Sequence, residues 1–330
     1  MAADRPESEE IVLAFLAEAG DEYVSGEAIS DKLGLTRAAV WKHVESLRAQ
    51  GYRIDAVSAR GYRLAAVPDR LTALELRPLL NTRDLGQVLH WYEELGSTSD
   101  RAKELADAGA EHGVVVIAEA QTAGRGRRGR TWVSPARKNL YFSVVLRPDL
   151  PPARAAELTL VSSVAICDAL RQAGVAAGIK WPNDLLVSER KIGGILTELA
   201  AEPDQVQWVV VGVGVNVNAR PEDFPEELRG EATSLLVERG QPAPRALFAA
   251  ACFTALEEWI DRHAEEGFGV IRDAWRARTV TLGREVVVKA DGREIAGIAE
   301  DIDDAGALLV RTTAGIERIL SGDVALLRPR

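Results

Sequence analysis

Seven consecutive positions, Gly124 to Arg130, hold three glycines and four arginines. No other stretch limits the fold so tightly. Glycine at this density costs too much backbone entropy for a helix or a strand, so the segment has to be a loop. The whole chain carries a net charge of −10, so four adjacent cations imply something anionic to sit among them. By letter the stretch also matches G-x-G-x-x-G. That fingerprint opens a helix at its third glycine and holds phosphate on backbone N–H groups. Here Thr131-Trp-Val-Ser-Pro135 follows, with no helical stripe and a proline. A dinucleotide site and a functionless solvated loop both fit less well than a glycine-hinged arginine loop closing over a phosphate-bearing ligand. Gln121 and Trp132 mark its two ends.

The N-terminal pattern is separate. Ile11, Val12, Phe15, Leu16 and Ala19 share one helical face, Ser25 can cap a second short helix, and Gly34 supplies a tight turn. Thr36 then caps a third helix with Val40, Val44 and Leu47 at helical spacing. Two alternating strands, 52–57 and 61–64, follow around Ser58-Ala-Arg60. This is a helix-turn-helix with a wing. Between Thr36 and Arg63 six residues are basic (Arg37, Lys42, Arg48, Arg53, Arg60, Arg63) and two acidic (Glu45, Asp55), a local balance of +4 in an acidic protein. DNA is the expected partner, with Thr36, Arg37, Lys42 and Arg60 as contacts; a winged helix used for protein contacts is the alternative.

A chain of 330 residues exceeds one ordinary core. The expected domains are 1–66, a winged helix-turn-helix; 67–277, an α/β domain with a mixed sheet; and 278–330, a small five-stranded β-barrel whose hairpins turn at Asp291-Gly292 and Asp304-Ala-Gly306. Strands are expected at 88–93, 114–118, 140–146, 179–181 with 185–187, 192–198 and 206–218, and helices at 99–108, 153–173 and 244–263. Thr98 or Ser99 can cap the first of these helices. The multidomain class is α+β.

Besides the arginine loop, three stretches of the middle domain carry chemistry. Lys180-Trp-Pro-Asn-Asp184 holds a lysine and a carboxylate four positions apart. Lys191-Ile-Gly-Gly-Ile-Leu-Thr-Glu198 opens a strand with a lysine and follows it with two glycines that let a ligand lie against the backbone. Gly212-Val-Gly-Val-Asn-Val-Asn218 repeats that device and adds amides. Each has a bland explanation: a solvated lysine, a bulge, a strand end. Together they supply what activation of a carboxylate by ATP requires, namely cations for the carboxylate and α-phosphate, an acid that can hold Mg²⁺, and a lid against hydrolysis.

With those residues the chain resembles the bifunctional biotin–protein ligase and biotin-operon repressor family (BirA type) over essentially its whole length. The matching pieces are Leu35-Thr-Arg-Ala-Ala-Val-Trp-Lys-His43, Gly124–Arg130, Lys180–Asp184, Lys191–Leu196 and Gly212-x-Gly-x-Asn216. The resemblance implies a central domain like that of biotin and lipoate ligases and an SH3-like C-terminal barrel. It implies that Ser97, Thr98, Ser99 and Gln121 bind biotin and that Arg125, Gly126, Arg127 and Lys191 cover its carboxylate. It implies nucleotide contacts from Arg125, Arg127, Arg130, Trp132, Lys180, Asn183 and Asn216. Lys191, Arg127 and Asp184 would be catalytic, with Asp184 assisting the acceptor lysine or Mg²⁺. ATP, Mg²⁺ and biotin are the implied small molecules. A biotin carboxyl carrier protein, operator DNA and a homodimer formed on adenylate binding are the implied partners. The family usually has Asn where this chain has Ser99, which replaces an amide contact to biotin by a hydroxyl. A lipoate–protein ligase, a ligase with a silent winged helix, and a non-catalytic biotin-sensing regulator are the rival functions.

Elsewhere the composition restricts the class. No apolar run is long enough to span a bilayer, and the acidic opening Met1–Glu10 lacks the order of a signal peptide, so a cytoplasmic protein without a membrane partner is expected. Four histidines and two cysteines without ligand spacing argue against a transition-metal site, and Cys167 and Cys252 read as small buried apolar residues.

Overall fold

The structure, a computed structural model, describes residues 8–290 and 292–327. Met1–Glu7 and Asp291 lie outside the described residues, and with them part of the acidic opening and half of the Asp291-Gly292 turn. The chain divides into two compact units, Met1–Pro78 and Leu79–Arg330.

In the first unit, α1 (Ser8–Glu18), α2 (Gly26–Leu33) and α3 (Arg37–Ala49) are followed by an antiparallel pair, β1 (Arg53–Val57) and β2 (Gly61–Ala66). The expected caps are present. Ser25 Oγ accepts from Ala28 N at 3.0 Å and Thr36 Oγ1 from Ala39 N at 3.2 Å, each satisfying an orphan N–H of a helix start. Gly34 takes the left-handed conformation that turns α2 into α3. Val12, Leu16, Ile29, Val40, Val44, Leu47 and Ile54 close the core. The wing is held at its root, where Val24 and Tyr62 exchange two backbone hydrogen bonds of 2.8 Å. A Cβ on Gly61 would lie 1.9 Å from the Val24 carbonyl oxygen, so only glycine fits there. Beyond the wing, Thr72 caps the one-turn α4 (Ala73–Leu76), and Tyr52 Oη donates to the buried Glu75 carboxylate at 2.5 Å.

The second unit is built on a seven-stranded mixed sheet ordered β3-β4-β5-β9-β8-β7-β6. Its strands are β3 (Leu89–Tyr92), β4 (Val115–Ala118), β5 (Leu140–Leu146), β6 (Gly178–Lys180), β7 (Asp184–Val187), β8 (Arg190–Ala201) and β9 (Val206–Val215). Only β3 and β4 run parallel. Strand parity sorts the two faces. On one face α5 (Thr98–Asp107) packs Ala102 and Ala106 on Val116, Val145 and Val210. On the other, α6 (Glu157–Gln172) reaches Thr197 through Thr159, and Phe253 of α8 (Arg245–Glu266) meets Phe142 edge to face at 5.0 Å. Short α7 (Leu235–Arg239) and α9 (Phe268–Arg276) complete that layer. Both cysteines are buried on it, and desolvation pushes the Cys167 thiol up to about 12.

The C-terminal strands β10 (Glu285–Ala290), β11 (Arg293–Ile302), β12 (Leu308–Thr312), β13 (Gly315–Ile319) and β14 (Asp323–Leu326) form an antiparallel sheet ordered β13-β12-β11-β10-β14. This β domain grips the turn between β6 and β7. Trp181, fully buried and joined to Pro182 by a cis peptide, donates its indole N–H to the Gly306 carbonyl at 3.0 Å and its amide to Thr281 Oγ1 at 2.9 Å. Among the described residues, no helix is long and apolar enough to cross a membrane.

Candidate active site and DNA-facing surface

The α5 face of the sheet has a strip of bare backbone at Gly194, Gly212 and Gly214. These glycines do leave room, but in this structure the room is filled by the protein itself. A Cβ on Gly214 would sit 2.6–2.9 Å from the Trp132 ring, and one on Gly212 would sit 2.5 Å from Ser99 Oγ. Gly193 faces the other way, into Leu185 and Val215, and serves packing.

Between Trp132 and the start of α5 lies a pocket lined by Ser97, Thr98, Ser99, Gln121, Arg125, Leu196 and Gly212–Gly214. Its floor is a hydroxyl cluster: Ser143 Oγ donates to Thr98 Oγ1 at 2.9 Å and lies 3.1 Å from Ser99 Oγ. Ser97, and neither Thr98 nor Ser99, occupies the cap position of α5, and its side chain makes no cap bond. Gln121 supplies the cap in its place, its Oε1 accepting from Thr98 N at 2.9 Å while its Nε2 donates to Ser134 Oγ at 3.0 Å. The cavity measures about 30 Å³. That volume is on the order of two water molecules, so a larger occupant requires the lining side chains to move. The Trp132 indole N–H is buried there without a partner, and a buried donor left unpaired costs free energy until a ligand accepts from it.

Beside Trp132 is a charged cluster. Lys191 Nζ lies 5.3 Å from the Trp132 ring centroid and 2.5 Å from Asp184 Oδ1, and Lys180 Nζ lies 3.1 Å from Asp184 Oδ2. Burial alone would raise the Asp184 carboxyl pKa, but the two ammonium groups outweigh it and hold it below the usual carboxylate range. The lysine backbone is clamped: Lys191 N donates to Glu231 O at 2.7 Å and Thr233 N to Lys191 O at 2.9 Å. Asn216 is spent behind it, donating to Thr233 O at 3.0 Å and accepting from Asn139 at 3.3 Å. The buried Arg245 donates to Asn139 O at 3.2 Å and to Glu119 at 2.6 Å.

The arginine loop divides its cations. Arg125 pairs with Asp100 at 2.5 Å and Glu198 at 3.4 Å. Arg130 reaches Asp323 of β14 at 2.7 Å, and Arg128 donates to the Lys289 carbonyl at 3.0 Å and lies 3.5 Å from Asp323. Arg127 alone of the four touches only neutral acceptors: Ser321 Oγ at 2.9 Å, Gly322 O at 3.3 Å and Asn183 Oδ1 at 3.3 Å. Its pKa is lowered, chiefly by desolvation. Asn183 is fixed in turn by donating to Ile195 O at 2.7 Å. The fold thus brings Lys180, Asn183, Asp184, Lys191, Arg127 and Trp132 together. Arg130 turns outward and Asn216 backs the site without lining it. Gly126 lies against Arg130 within the loop.

Sequence reasoning missed Ser143, Ser134, Thr233 and Asp323. A lone serine inside Leu-Tyr-Phe-Ser-Val-Val-Leu was a readable signal for the first. The others act through contacts distant in sequence.

In the N-terminal unit the surface of α3 and the wing sorts its cations similarly. Arg37 pairs with Glu27, Arg48 with Glu45 and Arg63 with Asp55. Lys42, Arg53 and Arg60 are exposed and carry no ion pair among the described residues. Arg60 and Arg63 both lie over the Tyr23 ring, at 4.7 and 5.0 Å.

Comparison with known proteins extends these observations. Residues 92–216 match the model of the Biotin/lipoate A/B protein ligase family, residues 9–63 that of an HTH domain and residues 281–327 that of the Biotin protein ligase C terminal domain. The chain is 40% identical over 316 residues to the bifunctional ligase/repressor BirA of Bacillus subtilis, covering 96% of this chain and 97% of that one. It is 34% identical to the bifunctional ligase/repressor BirA of Escherichia coli, covering 93% and 94%. Among solved structures, the biotin protein ligase of Aquifex aeolicus in complex with biotin and ATP superposes with a TM-score of 0.64 at 31% identity, covering 73% of this chain and 99% of that one.

Proposed function

This chain belongs to the bifunctional biotin ligase/repressor family, and we propose from that premise that it activates biotin with ATP, passes it to a lysine of a biotin carrier protein, and represses transcription when loaded. One observation carries the ligase half. Trp132 forms a wall of the hydroxyl-floored pocket and also lies against Lys191, so one movable ring stands between the pocket and the Lys191–Asp184–Lys180 cluster. Biotin's ureido ring needs donors and acceptors together, which Ser97–Ser99, Ser143 and Gln121 supply. Its tail then runs past Trp132 to the lysines.

In the first step a biotin carboxylate oxygen attacks the α-phosphorus of ATP and pyrophosphate leaves. Lys191 exchanges Asp184 for the carboxylate and phosphate, and Arg127 offers the loop's uncompensated charge to the same phosphate. In the second step the ε-nitrogen of the acceptor lysine attacks the acyl carbon, AMP leaves, and the nitrogen loses a proton. Asp184 accepts poorly while two ammonium groups face it. Once Lys191 has moved to the phosphate, Asp184 becomes more basic and can take that proton. Its oxygens are both engaged by lysines, and among the described residues no group of three or more His, Cys, Asp or Glu could hold a metal. Mg²⁺ would neutralise charge on the phosphates of ATP, and Asp184 is the carboxylate that would hold it once Lys191 has moved away. We place the protein in the cytoplasm, where ATP and carrier proteins are found. Incubation with labelled biotin, ATP, Mg²⁺ and a carrier domain tests the ligase: label on the carrier is expected, and its absence with wild-type protein sinks the enzyme.

Gly214→Ala is expected to expel the Trp132 ring, because the new Cβ would lie 2.6–2.9 Å from it. The KM for biotin should rise roughly 10–200-fold, the range for one misplaced methyl in a pocket. Unchanged KM would mean that Trp132 does not wall the biotin site.

For the repressor half, an adenylate-loaded dimer presents Lys42, Arg53 and Arg60 twice. The slope of log affinity against log salt should then be about −5, at about 0.9 per phosphate neutralised. Lys42→Ala should flatten it by about 2 and Arg63→Ala should leave it nearly unchanged. Titration of the region upstream of biotin-synthesis genes, with and without biotin and ATP, measures both. Affinity that ignores biotin would leave the winged helix outside biotin control.

A further inference from the structure

We propose that Arg128 and Arg130 are struts and not ligands, and that Asp323 is the positioning residue to which they anchor the arginine loop. The inference rests on the ligase reading for its kinetic consequences but not for its geometry. Arg130 Nη2 is 2.7 Å and Arg128 Nη1 3.5 Å from the same Asp323 Oδ2, and Arg128 also donates to the carbonyl of Lys289, the residue paired with Asp323 across β10 and β14. Both acceptors therefore come from one cross-strand rung of the C-terminal β domain, a rigid element that lies on neither the loop nor the pocket.

The consequence falls on Arg127. Its guanidinium rests on Ser321 and Gly322, the two residues before Asp323, and reaches Asn183. It is an unpaired cation in a partly desolvated place, next to two like charges. A glycine-flanked loop carrying four arginines would spread them apart if nothing opposed it. Asp323 offsets one charge of the two and draws both guanidiniums to it, which fixes the loop to either side of Arg127: Gly126 N bonds Arg130 O at 2.7 Å, so the strut at Arg130 also sets the backbone at Gly126. Arg128 adopts φ 54, a left-handed conformation costly for arginine, and its two contacts on the β domain compensate for it. Arg127 is left held but not neutralised.

The test is a double-mutant cycle on the full chain, Asp323→Asn and Arg130→Gln, with Asp323→Glu as the conservative control and thermal melting to certify folding. Without any ligand, trypsin should nick the loop on the order of tenfold faster in Asp323→Asn, since a charge-assisted contact restrains it in the wild type. With biotin and ATP, Asp323→Asn should raise the KM for ATP and the rate of adenylate release on the order of tenfold with a smaller change in the KM for biotin, and Asp323→Glu should restore both. The double variant should be no worse than Asp323→Asn alone, because that change already removes the contact Arg130 makes. Three results overturn the proposal: unchanged nicking in Asp323→Asn, effects of the two variants that multiply (as they would if Arg130 bound phosphate itself), or no recovery in a folded Asp323→Glu. Nicking is read on the empty protein, so an absent ligase activity would not be mistaken for an absent anchor.

Discussion

Lys191→Ala is expected to lower biotin transfer roughly 10²–10³-fold, the usual loss when one preorganised charge-stabilising donor is removed from an active site. The case rests on where the ammonium sits. It is clamped through its backbone by Glu231 and Thr233, backed by Asn216, and held between the Trp132 ring and Asp184. At rest it is the ion-pair partner of a buried carboxylate, and in the proposed mechanism it moves to the phosphate and the biotin carboxylate. Removing it leaves Asp184 with Lys180 alone, so its carboxyl pKa should rise toward the ordinary range, since the largest opposing charge to its desolvation is gone. Single-turnover formation of the adenylate should fall with overall transfer, and the fall should lie mainly in the chemical step, with biotin still entering the pocket. Lys191→Arg keeps charge but not the compact point contact, so it should recover only part. Transfer within a few-fold of wild type in a folded Lys191→Ala would remove this residue from the mechanism.

Most of the architecture was readable because local chemistry agrees with it. Ser25, Gly34 and Thr36 punctuate the helix-turn-helix where caps and a left-handed turn are needed, and 140–146 is an apolar run of strand length that both faces bury. The misses have physical causes. At α5 the cap comes from Gln121, a residue more than twenty positions away, which no rule about adjacent residues finds. Strand β9 stops at Val215: Asn216 N still donates to Ile192 O of β8, but the Asn216 carbonyl accepts from Leu235 N and the chain turns away, although the apolar alternation continues to Val217. The expected elements omit α9, although Phe268, Ile271 and Trp275 repeat at helical spacing; Gly267 and Gly269 interrupt the stripe at its start. The loop was legible as a cluster of cations on a glycine-rich backbone, but the sequence could not distribute its four charges. Asp100, Glu198 and Asp323 lie 25, 73 and 193 positions from the arginines they meet, and only the fold says which arginine is left over.

That leftover residue defines the other large effect. Arg127→Ala should release biotinyl-adenylate into solution on the order of 10–100-fold faster, the range for losing a hydrogen-bonded charge partner of a phosphate. Arg125 meets Asp100 and Glu198, and Arg128 and Arg130 share the carboxylate of Asp323, so all three are held by carboxylates at rest. Arg127 meets only a hydroxyl, a carbonyl and an amide oxygen in a place where desolvation already disfavours its charge. On the proposed reading an arriving phosphate should relieve that cost and strengthen the loop's closure, which would couple occupancy to loop order through this side chain. Without it the lid still spans the site, being tied at Asp323 and at Asp100, but nothing in it grips the adenylate. The expected signature is a split: adenylate still forms, measured as pyrophosphate release, while it escapes to label free amines in solution, and transfer to the carrier becomes inefficient. Arg127→Lys should leak less than Arg127→Ala, because the charge remains though the forked contact does not. Adenylate held as tightly by Arg127→Ala as by the wild type would show that the loop's closure does not depend on phosphate, and the lid would have to be attributed to Trp132 alone.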